Sequence, residues 1–232
     1  EEIEHVEHRL NPDTLQLEEQ TYKVEVLHEP VGYLWRVFEL ILQTLEIAMW
    51  ATLIALGLGI PMSFFAAKNY SPHKLLFWSS RGAASFLRAM PELVMALFLV
   101  LAFGFGPIAG VLALGLHTAG FFGKFFADDI ENADKGPQEA LAATGANKLK
   151  VLRFAVLPQV MPQYIAYIQY ILERNVRTAT IIGIVGAGGI GQELKGRFEM
   201  FNYGHVGTIL LMIFITVLAM ERLAQWLRGR II

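Results

Sequence analysis

Residues 40–67 read LILQTLEIAMWATLIALGLGIPMSFFAA, an apolar run whose single charge is Glu46. A helix that crosses about 30 Å of hydrocarbon needs around 20 mostly apolar residues. The run meets that length, so it predicts a helix that spans a membrane. This stretch places the protein among integral membrane proteins and sets the pattern sought in the rest of the chain.

Four more runs of this kind predict an all-α integral membrane protein with about five transmembrane helices. The second run holds two arginines, Arg81 and Arg88, and a proline, Pro91. It predicts a helix that lies along the interface and enters the membrane after Pro91, with its arginines reaching the headgroups. Residues 104–107 (GFGP) are a turn signal. The four runs are residues 75–103, 108–126, 156–172 and 206–226.

The composition of the chain excludes several classes of protein. The sequence is 54% hydrophobic and 17% charged, whereas soluble domains are roughly 45–50% apolar and about 25% charged. It has no cysteine, which excludes a disulfide-stapled domain, a zinc ribbon, an iron–sulfur protein and a cysteine hydrolase. It also lacks the dense run of Lys and Arg with which a protein binds nucleic acid. The composition therefore indicates a protein whose surroundings are membrane lipid, with no nucleic-acid partner.

Charge is divided unevenly along the chain and predicts an orientation. Residues 1–36 hold three basic and nine acidic side chains, a net charge of −6, and residues 37–232 hold sixteen and twelve, a net charge of +4. Short loops rich in Lys and Arg stay in the cytoplasm. The basic segments are 68–74, 127–155 and the C-terminus, which are therefore expected in the cytoplasm. The chain then divides into an acidic extracytoplasmic segment, 1–36, and a transmembrane domain, 37–230.

The expected cytoplasmic segment 134–150 reads DKGPQEALAATGANKLK. Pro137 suits the first position of a helix, Gly145 is a natural stop, and Asn147 can cap a second helix. The pattern predicts two short helices at an angle, whose small side chains let another protein come close. A plain cytoplasmic loop is the alternative that composition alone leaves open.

The spacing of this segment resembles the EAA signature of ABC importer permeases: Glu-Ala-Ala, three residues, Gly, nine residues, Ile-x-Leu-Pro. The matching positions are Glu139, Ala140, Gly145, Leu157 and Pro158, and the two that differ are Leu141 and Ala155. The resemblance implies that residues 135–150 form the coupling helix, which docks into a groove on a separate ATPase subunit. The residues it assigns to this ATPase coupling are Glu139, Ala140, Gly145, Ala146 and Lys148.

Three further stretches resemble the phosphonate importer permeases, whose close relatives move phosphite. They are residues 142–148 (AATGANK), 157–162 (LPQVMP) and 175–191, which opens on NVRTAT and closes on VGAGGIG. The resemblance covers about residues 40–230 and implies a methionine-importer-like ABC permease fold in the bacterial inner membrane. It also implies a homodimer of this chain, an ABC ATPase dimer that binds ATP and Mg, and an extracytoplasmic substrate-binding protein. It implies no cofactor on this chain.

One face of the fourth predicted span carries polar side chains that suit an anion. Five of them are spaced 4, 3, 4 and 3 residues apart, which places them on one side of a helix. An isolated charge near hydrocarbon is costly, so the two arginines should face a water-filled cavity or a partner. A guanidinium matches the paired oxygens of a phosphonate. The alternative is that the arginines anchor the helix at headgroups or pair with Glu173. The five residues are Gln163, Tyr167, Tyr170, Arg174 and Arg177.

A glycine-rich segment, 178–191, follows this span and is too short to cross the membrane. Its GAGGIG sequence satisfies the glycine pattern of dinucleotide folds, but no acidic residue lies between residues 201 and 220 to hold a ribose. The segment predicts a re-entrant element whose backbone amides could line an anion route. Close packing of helices is the alternative purpose. Its glycines are Gly186, Gly188, Gly189 and Gly191.

These patterns predict the permease subunit of an ATP-driven ABC importer for phosphonate or phosphite-like oxyanions. The chain is expected to carry no catalytic residue and no metal site, because ATP hydrolysis on the partner would drive alternating access. A permease of the same superfamily for methionine or another small solute is the first alternative. An intramembrane hydrolase is the second, although the Gly-x-Ser-Gly and Gly-x-Gly-Asp motifs of such proteases are absent from the sequence.

Overall fold

The structure, a computed structural model, describes residues 2–10, 17–25 and 32–231. Its contacts divide the chain into two units, Glu1–Arg36 and Val37–Ile232. In the second unit every element that the structure describes is helical.

The first unit contains an antiparallel pair of strands that the sequence did not predict. Strands β1 (Glu2–Leu10) and β2 (Leu17–Glu25) pair with Ile3 opposite Val24. That the acidic segment 1–36 is extracytoplasmic stays a prediction.

Nine helices make up the rest of the described chain. A π-helical turn, Leu152–Val156, joins the sixth of them to the seventh. The helices are α1 (Gly32–Ala66), α2 (Lys74–Ala89), α3 (Glu92–Phe103), α4 (Pro107–Asn132), α5 (Lys135–Ala143), α6 (Lys148–Val151), α7 (Leu157–Gly183), α8 (Ile190–Glu199) and α9 (Tyr203–Ile231).

The helices that could cross a membrane are fewer than the sequence predicted. Three helices, α1, α4 and α9, are long and apolar enough, and α2 with α3 passes the same test as one span bent by 93°. Helix α7 has 27 residues, a length of about 40 Å, which is enough to span a membrane. It is not among these candidates, because its polar side chains make it less apolar than the other long helices. Length and composition therefore support three spans, or up to four, in place of about five. The helix that makes the difference is α7.

The chain breaks where Pro91 interrupts the second apolar run. Helix α2 ends at Ala89 and α3 begins at Glu92. Proline disfavours helical angles in the residue before it, and Met90 has φ −71° and ψ 123°. The predicted change of direction at Pro91 is confirmed.

The arginines of α2 contact α4. The Arg81 guanidinium lies 3.0 Å from Asp128 Oδ1 and 3.0 Å from Glu131 Oε1 at the end of α4. The Arg88 guanidinium carbon lies 5.4 Å from the centroid of the Phe125 ring, also on α4. Carboxylates and an aromatic ring of α4 are therefore partners of these two cations, and their contact with headgroups stays a prediction.

A buried set of hydrogen bonds ties three helices together. Asn175 of α7 is 2% exposed, and its Nδ2 donates to Thr52 Oγ1 of α1 at 3.0 Å. Its Oδ1 accepts from Thr118 Oγ1 of α4 at 3.3 Å. A buried amide without such partners costs about 1–3 kcal/mol. These bonds therefore favour one arrangement of α1, α4 and α7.

The turn between α7 and α8 consists largely of glycines in the left-handed region. Gly186, Gly188 and Gly189 have φ values of 93°, 83° and 71°. The Gly106 amide donates to the Gly186 carbonyl oxygen at 3.0 Å, and a Cβ on Gly188 would lie 2.9 Å from the Pro107 nitrogen. The α3–α4 turn and the α7–α8 turn therefore pack together at one end of the bundle.

This arrangement corrects the predicted re-entrant element. Residues 178–183 continue α7, so the irregular backbone is confined to residues 184–189. Two amides of the segment bind side chains of α1: Gly189 N donates to Gln43 Oε1 at 3.2 Å, and Ile190 N donates to Thr44 Oγ1 at 2.9 Å. These contacts are those expected for close packing, which was the alternative, and a role of the segment in an anion route stays a prediction.

We expect Gly191→Ala to destabilise the bundle. A Cβ at residue 191 would overlap the Thr180 carbonyl oxygen and lie 3.0 Å from the Gly183 Cα, a clash that costs about 1–3 kcal/mol. Thermal unfolding in detergent should show a lower midpoint than that of the wild type.

The matched control is Gly196→Ala in the same helix, where a Cβ meets nothing within 4 Å. Helix propensity favours Ala over Gly by about 1 kcal/mol, so its midpoint should stay or rise. Equal midpoints for the two variants would contradict the packing of α7 against α8.

Candidate functional site

The segment 135–150 forms the two short helices that its sequence predicts. Asp134 caps α5 by accepting from the Gly136 amide at 3.1 Å, and Asn147 caps α6 by accepting from the Lys150 amide at 3.0 Å. Gly145 ends the first helix with φ 83°. Helix α5 begins at Lys135, so Pro137 is its third residue and not its first.

Helix α5 is held by polar contacts, because none of its residues is buried. The Tyr70 hydroxyl donates to Gln138 Oε1 at 3.0 Å, and the Asp134 amide donates to Gln159 Oε1 at 2.9 Å. Burial raises the pKa of the Tyr70 hydroxyl above its usual value, so it stays protonated and remains a donor at neutral pH. An isolated helix of this length is marginal in water, so these contacts hold it in place.

The two helices and the 67–73 loop enclose a groove of about 370 Å³. Three of the residues predicted for ATPase coupling, Glu139, Ala146 and Lys148, line it. The other two, Ala140 and Gly145, are exposed beside it. The structure thus gathers all five on one open surface, which we call the coupling surface.

A second polar cluster lies where α3, α4 and α7 meet. The Arg174 guanidinium of α7 forms an ion pair with the Glu92 carboxylate of α3. His117 Nε2 of α4 lies 3.1 Å from Glu92 Oε1 and 3.4 Å from Arg174 Nη2. His117 Nδ1 lies 3.3 Å from the Met90 carbonyl oxygen, which can only accept, so Nδ1 donates. We call these three side chains the ion cluster.

The ion cluster lies in the middle part of two long helices. At about 1.5 Å per residue, His117 is ~15 Å from the start of α4 and ~22 Å from its end. Arg174 is ~26 Å from the start of α7 and ~14 Å from its end. The three side chains are 12–28% exposed, so the cluster is partly open.

The five residues of the predicted pathway stripe differ in their contacts. Gln163 and Tyr170 are exposed, and the half-buried Tyr167 ring lies 5.8 Å from the Phe125 ring. Arg177 Nη1 donates to Glu173 Oε1 at 2.7 Å, so the pairing that the sequence left as an alternative is present. The stripe shares a face of α7, but both of its arginines contact carboxylates.

Sequence reasoning did not connect Glu92 with Arg174 and His117. A signal was available, because a carboxylate beside a proline in an apolar run needs a partner, and Arg174 is a cation in another run.

Within residues 2–10, 17–25 and 32–231, no group of three His, Asp or Glu side chains could hold a metal ion.

Comparison with known proteins identifies the family of this chain. Residues 59–232 match the model described as binding-protein-dependent transport system inner membrane component. The chain belongs to this family. The predicted EAA motif and coupling helix lie inside the matched residues. As that description states, its members work with a binding protein in the inner membrane.

Individual relatives are permeases as well. HtxE of Stutzerimonas stutzeri, named as a phosphite transport system permease protein, is 56% identical over 229 residues, 99% of this chain and 88% of that protein. The phosphite transport system permease protein PtxC of the same organism is 44% identical over 188 residues, 81% and 68% of the two chains. The phosphate-import permease protein PhnE of Mycolicibacterium smegmatis is 44% identical over 190 residues, 82% of this chain and 36% of that protein.

Solved structures confirm the predicted fold. The inward-facing MetNI methionine ABC transporter superposes with a TM-score of 0.74 at 18% identity, covering 89% of this chain and all of that chain. An amino acid ABC transporter with histidines gives 0.73 at 18% identity, covering 88% of this chain. The chain is therefore the permease subunit of an importer, as predicted, and it is a multi-pass inner-membrane protein.

We expect Tyr70→Phe to loosen α5 without unfolding the bundle. The change removes the hydroxyl that donates to Gln138 Oε1, a bond worth about 1 kcal/mol. Amide hydrogen exchange across residues 135–143 should accelerate about fivefold. In the control Tyr203→Phe, the exposed hydroxyl has no hydrogen-bond partner among the described residues. Unchanged exchange in Tyr70→Phe would contradict the polar anchoring of α5.

Proposed function

We propose that this permease imports a phosphorus oxyanion, a phosphonate or phosphite, past the ion cluster. The observation that carries the proposal is Arg174, a partly open guanidinium in the middle of α7. A guanidinium presents paired donors that match two oxygens of a tetrahedral oxyanion. The names of the relatives, two for phosphite and one for phosphate, support the same class of substrate.

The rest of the predicted pathway stripe serves this passage. Gln163 and Tyr170 are exposed, and Tyr167 lies between them on the face of α7 that also carries Arg174. Their amide and hydroxyl groups can replace part of the water around the anion. Arg177 extends the stripe by one turn, where Glu173 moderates its charge. Glu92 moderates Arg174 in the same way, so the anion is bound weakly enough to leave, as conduction requires.

The proposed transporter contains two copies of this chain, an ATPase dimer and a substrate-binding protein. The coupling surface docks on the ATPase, which carries the ATP and Mg. Support comes from the exposure of α5 and from the exposed Leu149, an apolar side chain at 71% exposure beside the groove. The basic loops support a cytoplasmic location for the coupling surface and the C-terminus.

The substrate class is tested by ATP-driven uptake in proteoliposomes. With the ATPase and the binding protein present, we expect uptake of phosphonate or phosphite and none of methionine. The methionine alternative is favoured only by the fold of one solved transporter. Transport of methionine alone would overturn the proposal.

The role of Arg174 is tested by a double-mutant cycle with Glu92. We expect Arg174→Gln to reduce uptake about tenfold or more, because a charge-assisted bond is worth about 1.5–3 kcal/mol. Glu92→Gln leaves the guanidinium available, so uptake should persist. The double variant should recover the thermal stability lost in Arg174→Gln, because no unpaired carboxylate remains, but it should not recover uptake. Recovery of both in the double variant would mean that Arg174 is only a structural partner.

The coupling surface is tested by Glu139→Ala and Gly145→Trp. We expect both variants to lose ATPase in co-purification and to lose substrate-stimulated ATP hydrolysis, while the thermal midpoint of Glu139→Ala changes little because that position is exposed. Gly145 has φ 83°, so Gly145→Trp also strains the backbone by about 1–2 kcal/mol, and its midpoint should fall. Glu199→Ala, an exposed carboxylate on α8, is the matched control. Full ATPase retention in both variants would contradict the assignment.

A further inference from the structure

Two cations of α2 and α4 have no carboxylate partner. Arg81, Arg174 and Arg177 each contact a carboxylate. Over the described residues, no carboxylate oxygen lies within 4.0 Å of the charged nitrogens of Arg88, which is exposed, or of Lys124, which is half-buried. No carboxylate in contact therefore balances either cation.

The Arg88 guanidinium lies beside the part of α4 that holds Lys124. Its carbon is 5.4 Å from the centroid of the Phe125 ring, and Phe125 follows Lys124 in α4. Lys124 lies seven residues after His117, with Phe121 between them on the same face of α4. At about 1.5 Å per residue, Lys124 is ~10 Å from His117 along α4, towards the coupling surface.

The face that carries these cations is unsuited to lipid. An uncompensated charge in a membrane helix faces the bundle interior or a water-filled cavity. The Tyr167 ring of the predicted pathway stripe lies 6.3 Å from the Phe121 ring and 5.8 Å from the Phe125 ring. One continuous, partly open face therefore joins the stripe of α7 to Arg88 and Lys124.

We propose that Arg88 and Lys124 form a second binding site for the phosphorus oxyanion, which we call the inner site. The inference rests on the proposed function, and it adds the residues that receive the anion after Arg174. Guanidinium and ammonium groups both donate to oxyanions, the first as a fork and the second as a point charge. The nearest carboxylate along α4, Asp128, is engaged by Arg81. An anion that leaves the carboxylate-paired Arg174 therefore meets uncompensated positive charge nearer the coupling surface.

The test is a charge series in the reconstituted transporter with its ATPase and binding protein. We expect Arg88→Gln and Lys124→Gln each to slow phosphite uptake about tenfold, and Lys124→Glu to slow it further. Lys124→Arg, which keeps the charge, should retain most of the uptake. The thermal midpoint of each variant should stay close to that of the wild type, which separates a loss of uptake from a loss of folding. The control Lys195→Gln removes an exposed lysine on α8 and should transport at the wild-type rate.

The outcomes separate this inference from the proposed function. If the wild type moves no phosphorus oxyanion, the proposed function fails. If the wild type moves phosphite and both Gln variants do so at its rate, only the inner site is overturned. Equal loss in Lys124→Arg and Lys124→Gln with a lowered thermal midpoint would assign a structural role and also overturn it.

A second arm distinguishes a free oxyanion from a lipid headgroup. The series is repeated in vesicles of phosphatidylcholine alone and in vesicles that contain phosphatidylglycerol. The inner site predicts the same loss in both. A loss confined to phosphatidylglycerol vesicles would show that the two cations hold an anionic lipid and would overturn the proposal.

Discussion

The Glu92 carboxylate is the contact on which α3, α4 and α7 converge. A charge surrounded by hydrocarbon is costly unless a partner compensates it, and Arg174 supplies that compensation. His117 lies beside this pair and donates from Nδ1 to the Met90 carbonyl oxygen, a backbone group exposed by the break at the proline. The cluster therefore balances the charge of Glu92 and binds the backbone at the bend between α2 and α3.

Helix α2, which ends at this bend, connects the ion cluster to the coupling surface. Arg81, in the first half of α2, contacts Asp128 and Glu131, and Glu131 Oε1 accepts from the Lys68 amide at 2.6 Å. Because the adjoining loop also holds α5 through Tyr70, a displacement of α5 acts on the end of α2. Helix α2 has 16 residues, a length of about 24 Å. It packs against α4 where Gly120 leaves no side chain in the way, so it can transmit a displacement as a rigid element.

The sequence specified what depends on local chemistry, and it left open what depends on distant partners. Apolar length predicted α1, α4 and α9, and residues 145 and 147 predicted the end of α5 and the cap of α6, since each signal lies within a few residues. The ion pair between Glu92 and Arg174 joins positions 82 residues apart, which no spacing rule addresses. The antiparallel pair of β1 and β2 was not predicted, because the apolar residues of β1, at positions 3, 6 and 10, do not alternate with period two. The continuation of α7 to Gly183 was missed because its glycines also suit an irregular loop.

On the proposed pathway, the distribution of compensated and uncompensated cations gives the anion a direction. At the ion cluster an oxyanion would have to compete with Glu92 for Arg174, and one turn away with Glu173 for Arg177. At the proposed inner site Arg88 has an aromatic face beside it in place of a carboxylate, and a ring is a far weaker competitor than a carboxylate. We therefore expect a higher affinity for the anion at the inner site than at the ion cluster. A weak first site and a stronger second one would move the anion inward, and release from the second would require the helices to separate, which is the step that ATP hydrolysis on the partner would drive.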